Sequence, residues 1–149
     1  MAGYSGTPLV KKLGIQEGTK LFLAGAPENY LKWIAPLPKG VTVSARMSSG
    51  VHLVHLFCTE KSQLLKLLRA CLAKLKPNGV IWVSWPKKAA KVPTDITEDT
   101  IRALALPLGL VDIKVCAVDE VWSGLKLVIR KENRKPVSAL RASAKSARK

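Results

Sequence analysis

Ser84, Trp85, Pro86, Lys87 and Lys88 place a hydroxyl, an indole and two ammonium groups in five consecutive residues. An indole can stack a base and lysines can hold phosphates, so the pattern points to an anionic ligand with a flat ring. The plainer alternative is that the run 80–85 is a buried strand, with Trp82 and Trp85 as core on its opposite faces and Lys87, Lys88 and Lys91 in a solvated loop. Trp82 is assigned to the core; Trp85, Lys87 and Lys88 are kept as a candidate site. A second candidate is Gly25, Ala26, Pro27 and Glu28, which follow an apolar segment and precede a helix whose first N–H groups could hold an anion. Trp122 and Ser123, in a hairpin turn, are a third, and whether they reach the same rim is open. Tyr4, Ser5, Gly6 and Thr7 offer hydroxyls and N–H groups that could close over strand ends as a lid, or form an unstructured start.

Other chemistries find less support. His52 and His55 are three apart on a strand, so they face opposite ways and cannot chelate one ion; no metal site is expected. Asp119 and Glu120 could act as bases near a crevice, or simply belong to a solvated turn. Asp95, Glu98 and Asp99 read as helix-start residues. No G-x-S-x-G elbow, HExxH pair or P-loop occurs, so no catalytic residue is assigned. Cys58, Cys71 and Cys116 form no CxxC pair and sit among apolar neighbours, as small hydrophobes in a reducing, cytoplasmic setting do.

These groups need elements to position them. Segments 20–26, 51–58, 80–85 and 110–118 read as strands, 125–131 as an antiparallel return, and 41–45 as β-branched and strand-like. Leu64, Leu65, Leu68, Cys71, Leu72 and Leu75 recur at helical spacing over 60–76, with Thr59 as N-cap and "KPNG" as the stop. Pro27 suits the first position of a helix in which Tyr30, Leu31 and Ile34 share a face, and Pro36 ends it. Thr97 caps a further helix with Ile101, Leu104, Ala105 and Leu108 as its buried stripe. Strands alternating with helices imply a three-layer α/β sheet. Only residues 46–50 join the second strand to the third, whereas a parallel crossover normally takes a dozen or more. Segment 41–45 is therefore either an edge strand running the other way or no strand.

The chain has 149 residues, room for one domain with a real core. Its net charge of +15 is shared: residues 131–149 carry +6, which leaves +9 on the body. Such a charge suits an anionic small molecule, nucleic acid or acidic partner. No run approaches the ~20 apolar residues of a membrane span, and the start of the chain has no apolar core of a secretory signal. Residues 1–19 are expected as an N-terminal arm, 20–130 as the domain, and 131–149 as a basic disordered tail.

Several strings carry a resemblance. "AGYSGTPL", "VSWPKKA" and "LGLVDIKVCAVDE" resemble the bacterial family catalogued as domain of unknown function 3052, over residues 1–130. More widely, "CLAKLKPNGVIWVSWP" and the closing hairpin are similar to class I methyltransferases. That resemblance implies a Rossmann-like, mostly parallel open sheet with a C-terminal antiparallel hairpin. It also implies a glycine-rich loop after the first strand and an acidic residue ending the second, to hold S-adenosylmethionine. This chain departs at both places, with Gly25 alone before Pro27, and Ala45 and Arg46 where the acid belongs. The expectation is a non-catalytic methyltransferase-like module binding an anionic ligand or partner at a basic rim, its cofactor unknown. The alternatives are a small transferase with an altered S-adenosylmethionine or nucleotide pocket, and a nucleic-acid-associated basic protein.

Overall fold

Six strands form in the computed structural model, which describes residues 7–134: β1 (Lys20–Ala24), β2 (Thr42–Ser44), β3 (Val51–Phe57), β4 (Leu75–Pro86), β5 (Leu110–Ala117) and β6 (Trp122–Ile129). They make one sheet in the order β2-β1-β3-β4-β6-β5. The first four are parallel, and β6 runs antiparallel to both β4 and β5. This is the expected Rossmann-like sheet with its closing hairpin.

Period-two alternation along the strands splits the apolar residues between two cores. Val54 and Leu56 of β3, Ile81, Val83 and Trp85 of β4, and Leu125 and Leu127 of β6 pack on one face against α3 (Lys61–Leu72) and α4 (Glu98–Ala105). Leu53 and Phe57 of β3 and Trp82 of β4 pack on the other against α1 (Leu9–Leu13) and α2 (Tyr30–Trp33). The part of the arm from Leu9 to Ile15 therefore packs into the domain. Val10, Leu13 and Ile15 are buried, and the Trp82 indole N–H donates to the Leu13 carbonyl at 3.0 Å.

The short link after β2 resolves once its register is known. β2 is a parallel edge strand of three residues, paired with Lys20, Leu21 and Phe22 at the start of β1. Leu53 of β3 pairs with Leu21 on β1's other side. The chain must step back only ~10 Å along the strands and ~10 Å across two strand spacings. Residues 45–50 can span ~20 Å when extended, so no helix is needed. Met47 packs into the α3–α4 core along this path, and Gly50 N–H donates to Lys74 O at 3.0 Å.

Four local expectations are corrected. The helix after Pro27 has only four residues, because Pro27 O accepts from Tyr30 N and the helix begins there; Leu31, next to Tyr30, is 53% exposed and does not share the face of buried Tyr30 and Ile34. α3 ends at Leu72, and Leu75 and "KPNG" belong to β4, where the register with β3 jumps from Val51↔Leu75 to Leu53↔Val80. Thr59 does not cap α3; an Asp95 carboxylate oxygen accepts from Lys61 N at 2.7 Å instead. Residues 131–133 form a 3-10 turn, with Arg134 Nε donating to Ile129 O at 2.7 Å. The tail from 135 onward, like Tyr4, Ser5 and Gly6 of the supposed lid, lies outside the described residues; Thr7 is exposed.

Candidate functional site

Five strands end and β6 begins at one rim of the sheet, which is where open α/β sheets bind ligands. Gly25 follows β1, Cys58 follows β3, Lys87 follows β4, and Trp122 opens β6 opposite Pro86. Neighbouring ends are stitched together. Cys58 N–H donates to Ser84 O at 3.0 Å, and Lys87 N–H to Val121 O at 2.8 Å. Gly25 has φ +71°, and a Cβ there would lie 2.6 Å from the Phe57 carbonyl oxygen. The corner at residues 25–28 and the corner at 85–88 thus stand on the same rim, with the end of β3 between them.

The rim does not present every candidate side chain. Gly25, Glu28 and Lys88 are exposed, and Ala26, Pro27, Lys87, Trp122 and Ser123 are half-buried. Ser84, Trp85 and Pro86 lie inside. The Trp85 indole belongs to the α3–α4 core, so it offers no open face for a base, and the Ser84 hydroxyl is 0% exposed. The aromatic ring that does reach the rim is Trp122, placed at the start of β6 rather than in the turn; Ser123 pairs with Trp85. The four-residue α2 is too short for its N-terminus to serve as the anion site expected beside Pro27.

Beneath the rim, on the α1–α2 face, lies a polar chain that sequence reasoning missed. Tyr30 Oη is 2.8 Å from His55 Nδ1, and His55 Nε2 is 2.7 Å from Ser84 Oγ. All three residues are buried, at 1%, 0% and 0% exposure. Burial pushes the His55 pKa down to about 3 and the Tyr30 hydroxyl well above its ordinary range. The imidazole is therefore neutral, accepting at one nitrogen and donating at the other. Phe57 stacks on it with centroids 4.3 Å apart and meets Trp122 edge-on at 5.1 Å. A serine beside a histidine suggests nucleophilic chemistry, but sealed from solvent this chain sets the shape of the rim from below. Its only sequence signal was the pair of histidines inside an otherwise apolar strand, of which His55 alone joins the chain.

The remaining titratable candidates are occupied by structure. His52 Nδ1 accepts from Lys20 N at 2.9 Å, on a different part of the sheet from His55. Asp119 Oδ1 accepts from Val121 N and Trp122 N at 2.9 and 2.7 Å, which builds the β5–β6 turn; Glu120 is exposed. Glu98 and Asp99 contact Arg102, which also binds Asp112 at 2.9 Å. Burial pushes the Cys58 and Cys71 thiols up to about 11 and about 12, so they stay protonated.

Known structures share this fold. A S-adenosylmethionine-dependent methyltransferase from Aquifex aeolicus superposes with a TM-score of 0.57 at 15% identity, over 81% of this chain and 88% of its own. A Sulfolobus solfataricus protein assigned to the type 11 methyltransferases gives 0.59 at 10% identity, over 90% and 95%. Aeropyrum pernix fibrillarin, with S-adenosylmethionine natively bound, gives 0.55 at 15% identity, over 81% and 72%. No protein-family model and no curated protein sequence matches the chain. The protein thus has the class I methyltransferase fold.

The rim does not fit S-adenosylmethionine in the manner that fold implies. The backbone approach allowed by Gly25 is filled by the Phe57 carbonyl rather than left open to a ligand. β2 ends at Ser44 and is followed by Ala45 and Arg46, and the Ser44 hydroxyl bonds to Arg46 backbone, so no carboxylate stands there for a ribose.

Proposed function

We propose that this protein is a non-catalytic module of the methyltransferase fold that binds an anionic, ring-bearing ligand at the carboxyl-end rim. One observation supports the reading: residues 25–28, Lys87, Lys88 and Trp122 stand along the same carboxyl-end rim, at the ends of β1 and β4 and the start of β6, while Ala45-Arg46 stand where the fold's ribose-binding acid belongs. Lys87 and Lys88 supply charge for a phosphate, and the half-buried Trp122 indole supplies a stacking surface. The strings at 2–9, 83–89 and 108–120 further support placing the chain in the family catalogued as domain of unknown function 3052.

Isothermal titration with ATP, NAD and S-adenosylmethionine tests the reading. ATP is expected to bind, and Lys87→Gln with Lys88→Gln to weaken it by about tenfold or more. S-adenosylmethionine is expected not to bind. If S-adenosylmethionine binds and a labelled methyl group is transferred, the protein is a small transferase and the proposal fails.

A further inference from the structure

We propose that the chain carries a second binding site, at the amino ends of the strands, for a small polyol bearing one phosphate or carboxylate group. A cavity of about 460 Å³ lies there, between the loop after α1, the starts of β3 and β4, and Lys126 of β6. Its volume falls within the ~300–1,000 Å³ typical of small-molecule sites. It is remote from the rim: Lys126 pairs with Trp82, four residues along β6 from the Trp122↔Pro86 pair.

The Lys126 ammonium of this cavity makes no ion pair among the described residues; Glu17, which also lines it, is not within ion-pair distance. Lys126 is half-buried in its wall and shares the α1 face of the sheet with Trp82. Directly across on β5 stands Lys114, whose Nζ is 6.0 Å from the Trp82 ring. Like charges opposite one another on paired strands repel. Among the described residues neither lysine has a carboxylate within 4.0 Å. Burial first, and then Lys114, pushes the Lys126 pKa down. An anion seated against Lys126 would remove both penalties.

The remaining lining gives the ligand its other groups. Because His52 Nδ1 accepts from Lys20 N, its Nε2 carries the proton and is a donor. Burial, then Lys76, then Lys20 push its pKa down, which keeps the ring neutral. Asn78 and Gln16 add amides, and Glu17 adds a carboxylate. A carboxylate beside an anion site repels a second anionic group but accepts from hydroxyls. The set therefore selects one charged end and a hydroxylated body.

The test is amide-resolved NMR and calorimetry on the full chain at ~0.15 M salt, where exposed charges are screened. The probes are ribose 5-phosphate, gluconate, ribose and inorganic phosphate. Saturable shifts are expected at Gly18, Leu53, Val80 and Lys126 with ribose 5-phosphate or gluconate, the tighter of the two identifying the acid. Lys126→Met is expected to weaken binding about tenfold, as loss of one charged contact should. Asn78→Asp, at an exposed position, adds a repelling charge and gives the same direction without touching the core. Lys87→Gln with Lys88→Gln leaves this site intact, which separates it from the rim. The proposal falls if neither acid saturates by ~10 mM, if ribose or inorganic phosphate binds as well as the acids, or if the lysine variants at the rim rather than Lys126→Met abolish the shifts.

Discussion

His55 decides more than its single position suggests. Its folded pKa is about 3, against 6.5 when unperturbed, so folding holds the ring neutral. Its contribution is therefore fully present above pH ~6.5 and is lost as pH falls toward 3, by about 1.4 kcal/mol per pH unit. Urea unfolding measured from pH 7 to pH 4 should show this slope. His55→Asn should be less stable at pH 7, because it breaks the Tyr30–Ser84 chain, and should lose that share of the pH dependence. An unchanged slope would mean that the ring protonates in the folded state. Gly25→Ala should cost about 1–3 kcal/mol, since its φ lies in the left-handed region and the Phe57 oxygen occupies the new methyl's place. Lys126→Met should raise the melting temperature, because it keeps the buried stem and removes the repulsion from Lys114.

At the level of elements, α4 and the strands were legible because their signals are local. Thr97 accepts from Thr100 N, and Thr100 Oγ1 accepts from Thr97 N, a reciprocal cap written within four residues. Thr97→Ala should cost about 1 kcal/mol in urea unfolding. α3 shows the opposite case. Its first amide is capped by Asp95, 34 positions away in sequence, which no local pattern announces. Asp95→Ala should destabilise the fold and speed hydrogen exchange at the start of α3, although the residue reads as a helix-start acid for α4. Trp85 and Ser84 were ambiguous for a related reason. Whether the end of a strand is covered depends on α3 and α4 over Trp85 and on α2 and β3 over Ser84, and periodicity within 80–86 does not report that. The direction of β2 likewise depended on a three-residue register rather than on the length of the link after it.

For the whole molecule, the charge and the two ends of the sheet define separate behaviours. Residues 135–149 hold five Lys/Arg and no acid, out of a net +15. Removing them should lower affinity for non-specific DNA and flatten its salt dependence, because fewer phosphates are neutralised. Gel shifts at two salt concentrations check this, and binding of small anions at either end of the sheet should be unaffected. Among the described residues no helix is long and apolar enough to cross a membrane.

The bond from the Trp82 indole to the Leu13 carbonyl makes that ring an internal gauge of whether the first helix is seated. Release of α1 would wet a fluorophore that is otherwise 0% exposed and shift its emission to the red. With Trp33, Trp85 and Trp122 replaced by Phe, light alone would follow how the start of the chain attaches to the rest.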